Sequence, residues 1–219
     1  DVPRVKEKNI IRLDANEVAQ LIDNIESGEK LTKQQKVWHE RNKARDLAIV
    51  VTLLGTGVRV TELVGLDLSD LDFDNGAMRV IRKGGNEDIV YFGEETEEML
   101  RNYLDERMKM TPAPGHENAL FISQNNTRIT VRSVERLVKK YASTATVKKI
   151  TPHKLRSTYG TALYQETGDI YLVADVLGHS DVNTTRKHYA AMSEDRRRRA
   201  AHAVTLRDDE EISTPSETD

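Results

Sequence analysis

Apolar residues recur at helical spacing in LDANEVAQLIDNIESG, at Val18, Leu21, Ile22 and Ile25, and predict one amphipathic helix. Asp14 followed by Glu17 predicts its capped start, and Gly28 its stop. RNKARDLAIVVTLLGTG, 41–57, predicts a more buried helix broken by Gly55 and Gly57, and VTELVGL a further short turn of helix. The period then changes. LDFDNGAMRVIRKGGNEDIVYFG alternates apolar and polar positions and carries Asn75-Gly76 and Gly84-Gly85 as turns, so a small antiparallel sheet is expected over about 70–92. Helical patterns resume at 96–109, 130–143, 152–166, 169–177, 183–191 and 194–206. The fold class expected is mainly α with a small three-stranded antiparallel β-sheet (α+β). The last stretch, RDDEEISTPSETD (207–219), has no apolar pattern and is expected to be a disordered acidic tail.

Composition sharpens this picture. The 219 residues suffice for one large domain or two small ones, and the absence of cysteine excludes disulfides and thiolate metal sites. The longest apolar run, LAIVVTLLG, is far too short to cross a membrane, and no signal-peptide pattern opens the chain. A cytoplasmic protein is expected. The net charge of −3 hides a segregation: residues 1–127 hold 17 Lys/Arg against 23 Asp/Glu, residues 128–206 hold 15 against 7, and residues 207–219 hold 1 against 6. A basic C-terminal half can make the phosphate contacts that dominate nucleic-acid affinity, although a solvated basic face looks the same from charge alone.

Four stretches carry candidate chemistry. In TVRSVERLVKKYAS, Val134, Leu137, Val138 and Tyr141 share one face while Arg132, Arg136, Lys139 and Lys140 share the other, which suits a DNA groove but also an ordinary surface helix. In ITPHKLRSTYGTAL, Thr151 is a suitable cap and Pro152 a suitable first helical residue, which places His153 in the first turn and Arg156 at i+3, both able to reach one anion. Arg59 emerges from an apolar context in GTGVRVTEL and needs a partner, either Glu62 or a substrate anion. Lys83 sits at a hairpin tip, where a lysine is ordinarily just solvated. LGHSDVNTTRKHY offers two histidines and Tyr189, and a zinc site there is poorly supported because no third soft ligand accompanies His179 and His188.

Taken in order, TGVRVTEL, the lysine of RKGGNED, HKLR, LGHSD and a tyrosine ten residues after the histidine resemble the tyrosine recombinase family, the integrase and Xer group of site-specific DNA recombinases. The resemblance runs from about Leu13 to about Val204, and it is strongest to the Xer branch. It implies the DNA breaking-rejoining catalytic fold and a catalytic set of Arg59, Lys83, His153, Arg156, His179 and Tyr189. Tyr189 would attack the scissile phosphate to give a 3′-phosphotyrosyl link, with His153 as proton acceptor and Lys83 protonating the departing 5′-oxygen. Arg59, Arg156 and His179 would hold the non-bridging oxygens. No metal and no cofactor are implied. Double-stranded DNA would be the partner, met by Arg132, Arg136, Lys139, Lys154 and Arg186, in a homo-tetramer whose C-terminal helix (194–206) is exchanged between protomers, in the nucleoid-containing cytoplasm.

The sequence departs from the family in places. The hairpin carries acids (NED) where relatives often add a basic residue, Ser157 follows Arg156 where relatives often have histidine, and His188 reads as a helix-surface histidine. Residues 1–12 read as a linker remnant and 13–206 as the catalytic domain, so the N-terminal core-binding domain is expected to lie outside this chain. Type IB topoisomerase chemistry and a catalytically silent DNA-binding module remain as alternatives at this point.

Overall fold

The computed structural model describes residues 11–179, 181–189 and Ala200. Helix α1 (Ala15–Ser27) starts as predicted: Asp14 accepts from the Glu17 backbone N–H at 2.8 Å, and the Glu17 carboxylate accepts from the Asp14 N–H at 3.1 Å. The reciprocal pair satisfies donors that the first turn of a helix leaves free. Helix α2 (Lys33–Thr56) begins earlier than expected, at a second capping box formed by Thr32 and Gln35.

One expectation is corrected in α2. Gly55 does not break the helix, which runs through it and ends at Gly57 with a left-handed φ of 67°. Packing is the reason. Helix α4 (Glu94–Arg107) crosses α2 so closely that a Cβ on Gly55 would lie 2.5 Å from Thr96 Oγ1. The intrinsic helix cost of glycine, about 1 kcal/mol, is the condition for that close approach.

α2 is the central strut and packs against α1, α4 and helix α6 (Pro152–Thr167). Its buried Ile49 and Leu53 join Leu21, Ile25, Leu63, Leu100 and Phe121 in the main core. Beyond the short helix α3 (Val60–Val64) lie strands β1 (Leu71–Asp72), β2 (Ala77–Ile81) and β3 (Glu87–Tyr91), an antiparallel sheet in sequence order with Met78 opposite Val90. Met78, Val80 and Val90 face the core, while Ile81, Ile89 and Tyr91 are exposed.

Helix α5 (Val131–Ala142) buries the predicted stripe of Val134, Leu137, Val138 and Tyr141, each side chain contributing about 1.5–3 kcal/mol by leaving water. Its exposed back carries Arg132, Arg136 and Lys139. Lys140 is a correction: it turns inward, with Nζ 3.8 Å from the buried Asp46 carboxylate and 4.2 Å from the Tyr141 ring centre. Asp46 also accepts from the Tyr141 hydroxyl at 2.9 Å, so this corner is a buried polar network and Lys140 is not part of the free basic face.

After α6 come α7 (Ile170–Val176) and α8 (Val182–His188). They belong to a small second core of Tyr164, Val173, Leu177 and Tyr189. The first ten residues of the expected linker, positions 190–191, the expected helix at 194–206 except for helical Ala200, and the tail at 207–219 lie outside the described residues. No helix among the described residues is long and apolar enough to cross a membrane.

Candidate active site

Where α2 stops, the chain turns and presents Arg59 as the residue capping α3. Its backbone N–H donates to Glu62 Oε2 at 2.9 Å and its guanidinium to Oε1 at 3.0 Å. Glu62 is buried while the Arg59 side chain is 37 % exposed. Of the two partners the sequence offered Arg59, the structure shows Glu62, which anchors its base while the side chain still reaches solvent.

Helix α6 supplies the second arginine from its first turn. Thr151 accepts from the Lys154 N–H and Pro152 opens the helix, as expected. Arg156 points inward and is almost fully buried, donating to the Gly57 carbonyl at 2.5 Å and to the Leu177 carbonyl. Burial, and then the Arg59 charge, bring its pKa down to about 10, so it stays cationic at neutral pH. His153 lies exposed on the same turn.

The β2–β3 hairpin brings Lys83 to the opposite wall. Among the described residues, Lys83 makes no ion pair. Arg59, Arg82, Lys83, Gly178 and His179 line one open cleft of about 720 Å³, together with Asp88 and Thr184. The acids on this wall are partly spoken for: Asp88 accepts from Arg82 at 3.0 Å and Glu87 from Arg79 at 2.9 Å.

His179 follows α7. Its Nδ1 is 2.5 Å from the hydroxyl of buried Thr185 on α8. Burial, then Arg156 and Arg59, bring its pKa down to about 4, so the ring is neutral at pH 7. Either atom of this pair can donate; the tautomer in which the Thr185 hydroxyl donates to Nδ1 carries its proton on Nε2, where it is a donor for an anion.

Tyr189 is placed differently from the rest. It is 2 % exposed, stacked on Tyr164 with ring centres 5.7 Å apart, and its hydroxyl lies against Gly160, where even a methyl group would overlap it. Burial raises its pKa, opposed by the neighbouring Thr161 hydroxyl and the Arg156 charge. The tyrosine thus lies within the electrostatic reach of Arg156 but outside the lining of the cleft. His188 packs edge-on against it at 4.9 Å, and its pKa is lowered by burial and then by the charge of His153. His188 is exposed on α8, as the helix-surface reading expects, and its ring also covers one edge of Tyr189.

The structure thus brings Arg59, Lys83 and His179 to one cleft, buries Arg156 against the Gly57 and Leu177 carbonyls, leaves His153 exposed on α6 outside the cleft lining, and buries Tyr189. Two participants escaped sequence reasoning. Arg82 offered only its position beside Lys83, and Thr185 only its place six residues after His179. Of the other basic residues, Arg186 is exposed on α8 beside Asn183 and Lys187, whereas Lys154 donates to the Lys149 carbonyl at 2.6 Å. Among the described residues no group of three His, Asp or Glu side chains could hold a metal ion.

Comparison with known proteins fits this geometry. Residues 11–196 match the phage integrase family. The chain is 43% identical over 148 residues to tyrosine recombinase XerC of Corynebacterium glutamicum, covering 68% of this chain and 47% of the relative. A crystal structure of XerA recombinase superposes with a TM-score of 0.72 at 31% identity, over 90% of this chain and 66% of that one. The Tn1549 transposon integrase in complex with circular intermediate DNA superposes with a TM-score of 0.65 at 26% identity, over 90% of this chain and 66% of that one. The chain spans about half the length of the curated relatives it matches.

Proposed function

The chain belongs to the phage integrase family and has the fold of a tyrosine recombinase catalytic domain, and from that premise we propose that it cuts and rejoins DNA in site-specific recombination. One observation carries the reading: Arg59, Lys83 and His179 converge on a cleft above buried Arg156, with a tyrosine on the adjoining helix.

The chemistry follows from these groups. A phosphodiester placed in the cleft has its non-bridging oxygens met by Arg59, Arg156 and neutral His179, donors fixed in place before charge develops. Tyr189 leaves its slot, and its phenolic oxygen attacks phosphorus while His153 takes the proton. A phenol titrating at about 10 in water needs that help at neutral pH. The bond from phosphorus to the 5′-oxygen breaks, Lys83 protonates that oxygen, and the 3′ end stays linked to Tyr189. Reversal by the 5′-hydroxyl of another strand completes the exchange. Fixed cations supply here the charge stabilisation that a divalent ion gives in other phosphoryl transfers, so no metal enters the scheme.

Arg132, Arg136 and Lys139 on α5, with Lys154 and Arg186, are the contacts to duplex phosphates in this reading, and DNA in the nucleoid-containing cytoplasm is the substrate. The Tn1549 integrase complex supports DNA as the partner. Four copies assemble in the synapse, linked by the 194–206 segment, through a Holliday junction.

The test is covalent trapping. A nicked suicide substrate carrying the target site should give a protein–DNA band that survives denaturation with the wild type and none with Tyr189→Phe, which should still bind DNA. A band from the phenylalanine variant would overturn the assignment. Loss of wild-type cleavage in excess EDTA would overturn the metal-free scheme.

A further inference from the structure

Lys83 stands at an exposed hairpin tip followed by two glycines with φ of 88° and 84°, a segment with little of its own to fix it. Its neighbour is the opposite. The Arg82 side chain is 10% exposed and is held from three directions. Nε donates to Asp88 at 3.0 Å across the hairpin, Nη1 to the Glu62 carboxylate of α3 at 3.2 and 3.3 Å, and Nη2 to the Val176 carbonyl at the end of α7 at 3.2 Å. The guanidinium lies on Gly178, where a Cβ would come within 2.8 Å of its central carbon.

Two sharing relations make this more than local support. Glu62 holds Arg82 and Arg59 at once, and the Leu177 carbonyl accepts from both Arg82, at 3.5 Å, and Arg156. The backbone of Arg82 also closes the tip, its N–H donating to Asn86 at 2.7 Å and its carbonyl accepting from Gly85 at 3.1 Å. With its donors committed to protein acceptors, Arg82 has little left to offer a phosphate. What it fixes is the root of the next residue relative to Arg59 and His179.

We propose that Arg82 is a positioning residue: its buried contacts to Glu62, Asp88 and the end of α7 register the hairpin so that Lys83 meets the leaving 5′-oxygen. The proposal rests on the reading of Lys83 as the proton donor, and the experiment separates the two. It uses the full-length protein and two suicide substrates, one ordinary and one with sulfur replacing the bridging 5′-oxygen. A thiolate leaves without a proton.

Lys83→Ala should lose about 10²-fold or more on the ordinary substrate, the scale of a general acid, and recover on the sulfur substrate. Arg82→Met should lose about 10-fold or more on the ordinary substrate, part of the ~10²–10⁴-fold scale of the general acid itself, and recover likewise. Arg82→Lys should recover part of the ordinary rate, and adding Arg82→Met to Lys83→Ala should slow the ordinary reaction no further. Asp88→Asn loosens one anchor at a half-exposed side chain and should show the same pattern more weakly, so it carries the test alone if Arg82→Met fails to fold by thermal melting. Equal losses on both substrates for the folded Arg82 or Asp88 variants, with Lys83→Ala still rescued, would overturn the positioning role. Equal losses for Lys83→Ala would overturn the reading of Lys83 itself.

Discussion

The cation platform and the helix that carries the proposed nucleophile are built to different standards of rigidity. Arg59, Arg82 and Arg156 are tied through Glu62 and the Gly57 and Leu177 carbonyls at the edge of the main core: Arg59 is anchored within α3, and Arg82 and Arg156 are each held by at least two elements. Tyr189, at the end of the seven-residue α8, is held in a four-residue cluster with Tyr164 of α6 and with Val173 and Leu177 of α7 and its cap, through ring stacking and a close fit to Gly160 of α6. Groups that stabilise charge must be in place before it appears. In the proposed scheme the nucleophile has to leave its site, which needs a binding slot weak enough to vacate.

The largest expected effect comes from cutting the platform at its shared carboxylate. Glu62→Ala leaves the guanidinium of Arg82 without its main buried counter-charge and Arg59 without its anchor. Breaking a buried pair from one side costs about 3–5 kcal/mol, and a value near the lower end is expected because the Arg59 side chain is 37% exposed. Chemical denaturation would measure it. A loss below about 1 kcal/mol, the range of surface pairs, would mean that the platform is not the stiffer of the two regions.

A smaller effect of opposite functional sign is expected in the slot. Gly160→Ala puts a methyl group where the Tyr189 hydroxyl lies and close to Leu177. The overpacking should cost about 1–3 kcal/mol, offset by about 1 kcal/mol of helix propensity in α6. The variant should therefore stay folded with Tyr189 displaced, seen as faster hydrogen exchange in α8 and undiminished covalent trapping. Global unfolding would show that the slot belongs to the structural core and that the contrast between the two regions is false.

How much of this was legible in sequence depends on how far each partner lies along the chain. The start of α1 and the stripe of α5 rest on residues three or four apart, and they were read correctly. So was the hairpin, whose Gly84-Gly85 pair is local. Gly55 was misread because the helix that makes its missing side chain useful begins at Glu94. Lys140 was misread because a helical wheel cannot show that Asp46 waits beneath it. Arg82 escaped for the same reason, its partners standing 20 and 94 residues away. The candidate site residues were nominated by a motif order, whereas the burial of Tyr189 depends on Tyr164 and Gly160, which no motif marks.

The finest test of the contrast is a titration. His179 is the platform group that can change charge, and it is pushed down from about 6.5 to about 4 by burial, then Arg156 and Arg59. Its ring-proton resonances, followed by NMR from pH 8 downward, should stay flat past pH 5 and turn near 4. The sign of the linked stability follows: the unfolded chain takes up the proton at higher pH than the folded one, so this group's contribution is complete above about pH 6.5 and is lost as pH falls toward 4. Glu62→Gln, which keeps the shape but frees the arginine charges, should move the midpoint lower still. Because Thr185 on α8 holds Nδ1, the titration also reports on the join between the two regions. Displacing α8 with Gly160→Ala should expose the ring to water and bring the midpoint back toward its ordinary value. A midpoint above 6 in the unmodified protein would mean that the arginines do not act on His179 as a preassembled group, and the platform would lose its claim to rigidity.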